Sequence, residues 1–150
     1  YAPPYSSAKD PVNMAGFVAE NILLKRLNIF YWNEFNTLKP DDILIDVRRA
    51  DEYIKGKIAN AVNIPVDEIR NRLDEIPKGK NIYIYCEAGL RGYLAQRILV
   101  QNGFKNVFNL SGGYYLWNTC TSESRLSKAQ NYIELPKERE NVRHLPLGAL

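Results

Sequence analysis

Between residues 43 and 118, short apolar runs alternate with helical stripes, and this alternation narrows the fold more than any other feature. Ile43-Leu44-Ile45-Asp46-Val47 reads as a buried strand, and Asp51 to Lys55 as a short helix. Ala61 to Ile64 reads as a second strand, stopped by Pro65, and Val66 to Leu73 as a helix with Ile69 and Leu73 on one face. Ile82-Tyr83-Ile84-Tyr85 is the strongest strand and ends at Cys86. Gly92 to Gln101 is the strongest helix, with Leu94 and Ile98 four apart beside Ala95 and Leu99. Val107 to Leu110 is another strand, and Gly112-Gly113 precedes a last short helix, Tyr114 to Asn118. Strands separated by helices predict an α/β fold with a central parallel sheet covered on both faces.

A chain of 150 residues has room for one domain of this kind plus extensions. Tyr1 to Asp10 reads as an extended, Pro- and Ser-containing loop, without the basic and apolar regions of a secretory signal. The chain starts without Met, which suggests a fragment or a processed piece. A helix follows, with Asp10 as N-cap and Pro11 as its first residue. Met14, Val18 and Ile22 give it an apolar stripe that needs a partner surface; left bare, it would favour self-association. Lys25 to Asn28 reads as a linker, and residues 121–150 as a polar tail with prolines at 136 and 146.

Composition excludes several functions. The net charge of +3 is spread evenly, with 3 Lys+Arg against 2 Asp+Glu in residues 1–28, 12 against 11 in 29–120 and 5 against 4 in 121–150. No basic face of the kind a nucleic acid or an anionic membrane needs is concentrated anywhere. No apolar run approaches the roughly 18 residues of a membrane-spanning helix. One His, His144, argues against a Ser–His–Asp triad, a Cys–His pair or a multi-His metal site. Cys86 and Cys120 have 33 residues between them, which matches neither a zinc site nor a redox CxxC pair. Reduced thiols in the cytoplasm are the simpler expectation. Any covalent chemistry must then rest on a thiol without a His partner.

Cys86-Glu87-Ala88-Gly89-Leu90-Arg91-Gly92 is the informative stretch, lying where the strongest strand stops and the strongest helix begins. Ligands of α/β sheets bind at this edge. The first helical N–H groups have no partner in the helix, and the dipole adds about half a positive charge there. A loop curled over that end makes an anion cradle. A Cys86 thiolate in the cradle would have its pKa pulled below the free value of about 8.5, with no His required. Gly89 permits a positive φ, Gly92 permits close approach, and Arg91 can offer a fork of donors to an anion or leaving group. Cys120, in a polar stretch with no strand-to-helix turn after it, and His144, in the tail, carry no such pattern.

Residues 29–119 resemble a rhodanese-type sulfurtransferase domain. The resemblance rests on Leu44-Ile45-Asp46-Val47-Arg48, on Glu52-Tyr53 through Gly56-Lys57-Ile58, and on Ala61-Val62-Asn63-Ile64-Pro65. It continues through the Cys86–Arg91 loop, Gly103-Phe104, Asn109-Leu110-Ser111-Gly112-Gly113 and Trp117. It implies a three-layer α/β domain over residues 29–120, with Cys86 as a persulfide-forming nucleophile and residues 86–91 as the active-site loop. Asp46 and Arg48 would form a structural salt bridge. Lys57 stands where the family often has His, and would add charge near the pocket or face solvent.

Residues 1–24 resemble the C-terminal end of the dimerisation domain of flavin-dependent coenzyme A-disulfide reductases, from Tyr1-Ala2-Pro3-Pro4-Tyr5 through Ala15-Gly16-Phe17-Val18-Ala19-Glu20-Asn21. Some of those reductases carry a rhodanese domain after this helix. This second resemblance implies a homodimeric parent with FAD and NAD(P)H domains that are missing here. In such a parent, Tyr5 would reach the partner subunit's active site. It also implies a sulfane sulfur donor and a thiol acceptor such as coenzyme A, with no cofactor or metal on the fragment itself. No GxGxxG motif occurs in the sequence. Two other readings stay open: a non-catalytic docking or regulatory module, and a cysteine phosphatase or arsenate reductase. The second usually has five residues between Cys and Arg, and here there are four.

Overall fold

The computed structural model describes residues 10–122. Helix α1 spans Pro11–Leu23 and starts as the sequence predicts, with the Asp10 carboxylate accepting the Asn13 N–H at 2.9 Å. None of its residues is buried. The following turn includes Lys25 at φ 54°, and the predicted linker is fastened to the domain. Leu27 is buried, Arg97 donates to the Arg26 carbonyl, and Gln96 donates to that of Asn28.

Five parallel strands follow: β1 (Ile29–Phe30), β2 (Ile43–Asp46), β3 (Val62–Asn63), β4 (Ile82–Tyr85) and β5 (Val107–Leu110), in the order β1-β5-β4-β2-β3. Three helices connect or cover them: α2 (Ala50–Lys55), α3 (Leu90–Gln101) and α4 (Gly113–Thr121). The predicted α/β fold, a central parallel sheet flanked by helices, is the observed one.

Strand alternation sorts the core into two layers. Ile43, Ile45, Ile82, Ile84 and Val107 pack on one face with Ala95, Ile98 and Leu99 of α3. Leu44, Tyr83, Tyr85, Phe108 and Leu110 pack on the other with Phe35, Tyr53, Tyr114 and Trp117. Because both faces are covered, β4 reads as an unbroken apolar run and β2 as one up to Asp46.

Three expectations need correction. The helix expected over Val66–Leu73 is instead two short 3-10 turns, Ile69–Asn71 and Leu73–Glu75. Ile69 and Ile76 are both buried, and a 3-10 turn climbs farther per residue than an α-turn, so it spans the distance between such anchors with few residues. On α3, Leu94 is exposed; the buried stripe is Gly92, Ala95, Gln96, Ile98 and Leu99. The sequence reading missed β1 and the 3-10 turn Trp32–Thr37 after it. Two residues are too few to display an alternation.

Tyr5, His144 and nearly all of the 121–150 tail lie outside the described residues. Among the described residues, no helix is long and apolar enough to cross a membrane, and no cluster of three metal-ligating side chains occurs.

Candidate active site

β4 delivers Cys86 to the carboxyl edge of the sheet, between β2 and β5. There the side chain is only 2% exposed. The chain then turns back at Gly89, whose φ of 140° suits glycine, and enters α3 at Leu90. This turn points the Gly89 N–H at Cys86 Sγ, 3.1 Å away. A strand-end sulfur is thus held against an amide at the start of a 12-residue helix. Ala88 and Leu90 are exposed, Gly89 is half-buried, and Gly92 is buried inside the first turn.

Three elements fix the loop. The N-terminal amides of α4 grip its carbonyls: Tyr114 N–H donates to Cys86 O at 2.8 Å, and Tyr115 N–H to Glu87 O at 3.0 Å. Gly113 makes this approach possible, since a Cβ there would lie 2.5 Å from Glu87 O and 2.6 Å from Cys86 O. From β5, Asn109 Nδ2 donates to the Gly89 carbonyl at 3.2 Å. An added Cβ on Gly92 would collide with the Asn109 side chain, so this glycine permits the close approach expected of it.

The third element is a buried ionic cluster. Arg48 is 2% exposed; its guanidinium donates to both Asp46 oxygens, the Gly56 carbonyl and Glu87 Oε2. It also lies over the Tyr114 ring at 4.0 Å. Burial alone would lower the guanidinium's proton affinity, but the hydrogen bond and charge of Asp46, with help from Glu87, raise it above the ordinary arginine value. The expected Asp46–Arg48 salt bridge is therefore present at 2.8 Å and extends to the residue next to the cysteine. Beneath it, Tyr85 Oη accepts the Ile58 N–H, and burial pushes its phenol above the usual range.

Arg91 gives both terminal nitrogens to Glu52 of α2, at 2.6 and 2.7 Å. The hydrogen bond from Arg91 is the main reason the Glu52 carboxyl falls to about 2. That hydrogen bond also raises Arg91, with smaller contributions from the negative charges of Cys86 and Glu87. The fork predicted to meet an anion therefore rests on a carboxylate. Lys57 is exposed, its ammonium 4.3 Å from the centre of the Tyr53 ring. Cys120 sits half-buried in α4.

Sequence reasoning overlooked Glu52, Asn109, Gly113 and Tyr114 as site residues. For Glu52, Asn109 and Gly113 the only available signal was their presence inside the quoted motifs, and Tyr114 stood outside them; they act on the loop from α2, β5 and α4, which local sequence does not connect.

Cavities flank the loop on both sides. One, of about 330 Å³, has Arg49, Glu52, Asp67 and Arg91 in its wall. Another, of about 440 Å³, lies between α1, the Ala88–Leu90 turn and the end of β5.

Comparison with known proteins places this geometry. Residues 31–120 match the family model described as a rhodanese-like domain. A sulfurtransferase of Allochromatium vinosum is 40% identical over 77 residues, covering 51% of this chain and 72% of that protein. Among solved structures, reduced Bacillus anthracis CoADR-RHD superposes with a TM-score of 0.72 at 47% identity. A NAD-dependent persulfide reductase from A. fulgidus gives a TM-score of 0.64 at 39% identity. These two matches cover 79% and 78% of this chain, a larger share than residues 31–120 supply, but only 21% and 20% of those chains.

Proposed function

The chain belongs to the rhodanese-like domain family, and on that premise we propose that it carries sulfane sulfur as a persulfide on Cys86, within an FAD- and NAD(P)H-dependent coenzyme A-disulfide, persulfide or polysulfide reductase. One observation carries the first half: Cys86 Sγ ends a buried strand and lies 3.1 Å from the Gly89 N–H, at the head of α3. The second half is supported by the likeness to the two reductases, which extends beyond the rhodanese-like residues.

In the first step the Cys86 thiolate attacks the outer sulfur of a donor. With thiosulfate, the donor S–S bond breaks, sulfite leaves with the bonding pair, and Cys86–S–S⁻ remains. The backbone dipoles at the loop are already oriented by α4 and Asn109, so they need little reorganisation when the charge moves outward by one sulfur. In the second step the acceptor thiol gives its proton to the outer sulfur, and the resulting thiolate attacks that sulfur of Cys86–S–SH. The Cys86–sulfur bond breaks, the acceptor leaves as RS–SH, and Cys86 returns to thiolate. Arg48 and Arg91 are positioning residues in this scheme, since both guanidinium groups are tied to carboxylates. Flavin and nicotinamide would supply reduction of the released persulfide; no group described in this chain forms a dinucleotide loop, and neither sulfur-transfer step is routed through them.

Incubation with thiosulfate should add the mass of one sulfur atom to the peptide containing Cys86, and Cys86→Ser should lose both this adduct and all sulfur transfer to cyanide. A Cys86→Ser protein that turns over as fast as its parent would refute the proposal. Loss of turnover with hydrolysis of p-nitrophenyl phosphate in its place would move the chain to the phosphatase class.

A further inference from the structure

We propose that Glu52 is a specificity-determining residue of the Cys86 site: seated in the fork of Arg91, its carboxylate stands where an oxyanion would bind. It thereby turns the loop away from phosphate, sulfate and the oxygen-bearing end of thiosulfate. The inference rests on the persulfide reading of Cys86 and adds which sulfur donors that cysteine favours. Three observations converge on it. The pairing is bidentate, with Arg91 Nη1 and Nη2 donating to the two Glu52 oxygens at 2.6 and 2.7 Å. A planar fork meeting two oxygens is also the geometry with which arginine holds a tetrahedral oxyanion, so carboxylate and oxyanion compete for the same donors. Glu52 is itself tethered, because its Oε2 also accepts the Arg49 N–H at 3.1 Å, and this second bond resists its swinging aside.

The third observation is the cavity of about 330 Å³ that this ion pair lines, which is large enough to admit a small oxyanion. Its two arginines are matched by two carboxylates, Glu52 and Asp67. Arg49 is engaged as well, by Asp51 at 3.1 Å and by Glu52 at 3.7 Å. An entering oxyanion must displace Glu52 and then face that carboxylate unpaired, with like charges repelling. The negative charges of Cys86 and Glu87 add to the upward shift of Arg91, so a fork released from Glu52 would act beside the sulfur. Arg48 cannot take this part, since it is buried and does not line the cavity, whereas the Arg91 side chain is 30% exposed. A donor whose sulfane sulfur sits on a carbon-bound sulfur asks nothing of the fork, and Glu52 leaves it free to react.

The test uses the full chain at fixed ionic strength. Cys86 is loaded from thiosulfate or from 2-hydroxyethyl persulfide, and the sulfur adduct is followed by mass. With the persulfide, the thiolate attacks the terminal sulfur, the donor S–S bond breaks, 2-hydroxyethylthiolate leaves with the bonding pair, and Cys86–S–SH remains. Glu52→Gln should raise the loading constant for thiosulfate about fivefold relative to that for the persulfide. Glu52→Gln/Arg91→Met should cancel the gain. Asp67→Asn, which takes a negative charge from the same wall but not from Arg91, should leave the ratio within about twofold of the parent. An unchanged ratio in Glu52→Gln, a gain that survives the loss of Arg91, or an equal gain in Asp67→Asn would overturn the proposal. Inorganic phosphate titrated into the Cys86→Ser protein decides the matter without sulfur transfer. The Gly89 and Arg91 amide resonances should stay still at millimolar phosphate, and should move in Cys86→Ser/Glu52→Gln. That contrast supports the role of Glu52 even if Cys86 never holds sulfur; a response already present with Glu52 in place, or none after its removal, rejects it.

Discussion

The two sides of the Cys86 loop are built from opposite materials. On one side lie Asp46, Arg48, Glu87, Glu52 and Arg91, where every guanidinium is already paired with a carboxylate. On the other lie the Gly89 turn, Asn109, Ser111 and the apolar residues of α1. The charged side holds the loop in place, since its ionic groups satisfy one another and leave no unpaired guanidinium for a ligand. The neutral side leaves room next to the residue that contacts the sulfur.

The severest way to break this comparison is to remove the buried guanidinium. Arg48→Met leaves Asp46 buried without its partner and frees Glu87, and should cost about 3–5 kcal/mol of stability in denaturant unfolding. If stability and sulfur transfer both survive, the charged wall is not what holds the loop. Next comes Gly113→Ala, which places a methyl group against the carbonyls of Cys86 and Glu87 at a φ of 60°. The loop must shift, so turnover should fall at least about tenfold, with about 1–3 kcal/mol of lost stability. An unchanged rate would show that the grip of α4 does not set the sulfur's surroundings.

Asn109→Ala sharpens the comparison from the neutral side. It removes the hydrogen bond to the Gly89 carbonyl and should cost about 1 kcal/mol, with a larger proportional loss in turnover than in thermal stability. Equal losses would make Asn109 merely structural.

The smallest effect concerns pH. Glu52 has its pKa lowered from 4.5 to about 2, so its pairing contributes fully above pH 4.5 and fades as the pH falls toward 2. Both partners are partly exposed, which limits the contribution to about 1 kcal/mol. The stability difference between the parent and Glu52→Gln should therefore shrink across that acidic interval and stay flat between pH 5 and 8. A difference that grows toward pH 2 would reverse the assigned sign.

Much of the fold was legible because buried parallel strands must be apolar along their whole length. Ile43–Ile45 and Ile82–Tyr85 announce themselves in this way, and Val107–Leu110 does so with only Asn109 interrupting it. The Ile-Tyr-Ile-Tyr run even encodes the two core layers, although only the folded sheet shows that isoleucines meet α3, while Tyr85 meets Tyr114 and Arg48 and Tyr83 meets Phe30 and Phe108. Leu94 misled because it is apolar but stands off the stripe that packs. Arg91 was recognised as a fork of donors; its partner was not, since Glu52 lies 39 positions away.

The sequence by itself determined the sheet, the strand-to-helix turn and the presence of a cysteine at its start. These depend on local periodicity and on glycine's backbone freedom, which neighbouring residues reveal. Only the tertiary structure decided where the charges go and which side of the loop stays neutral. Pairing between Arg48 and Glu87 and between Arg91 and Glu52, and the cavity that α1 shares with the end of β5, depend on distances in space, and side chains far apart in the chain carry no local trace of one another.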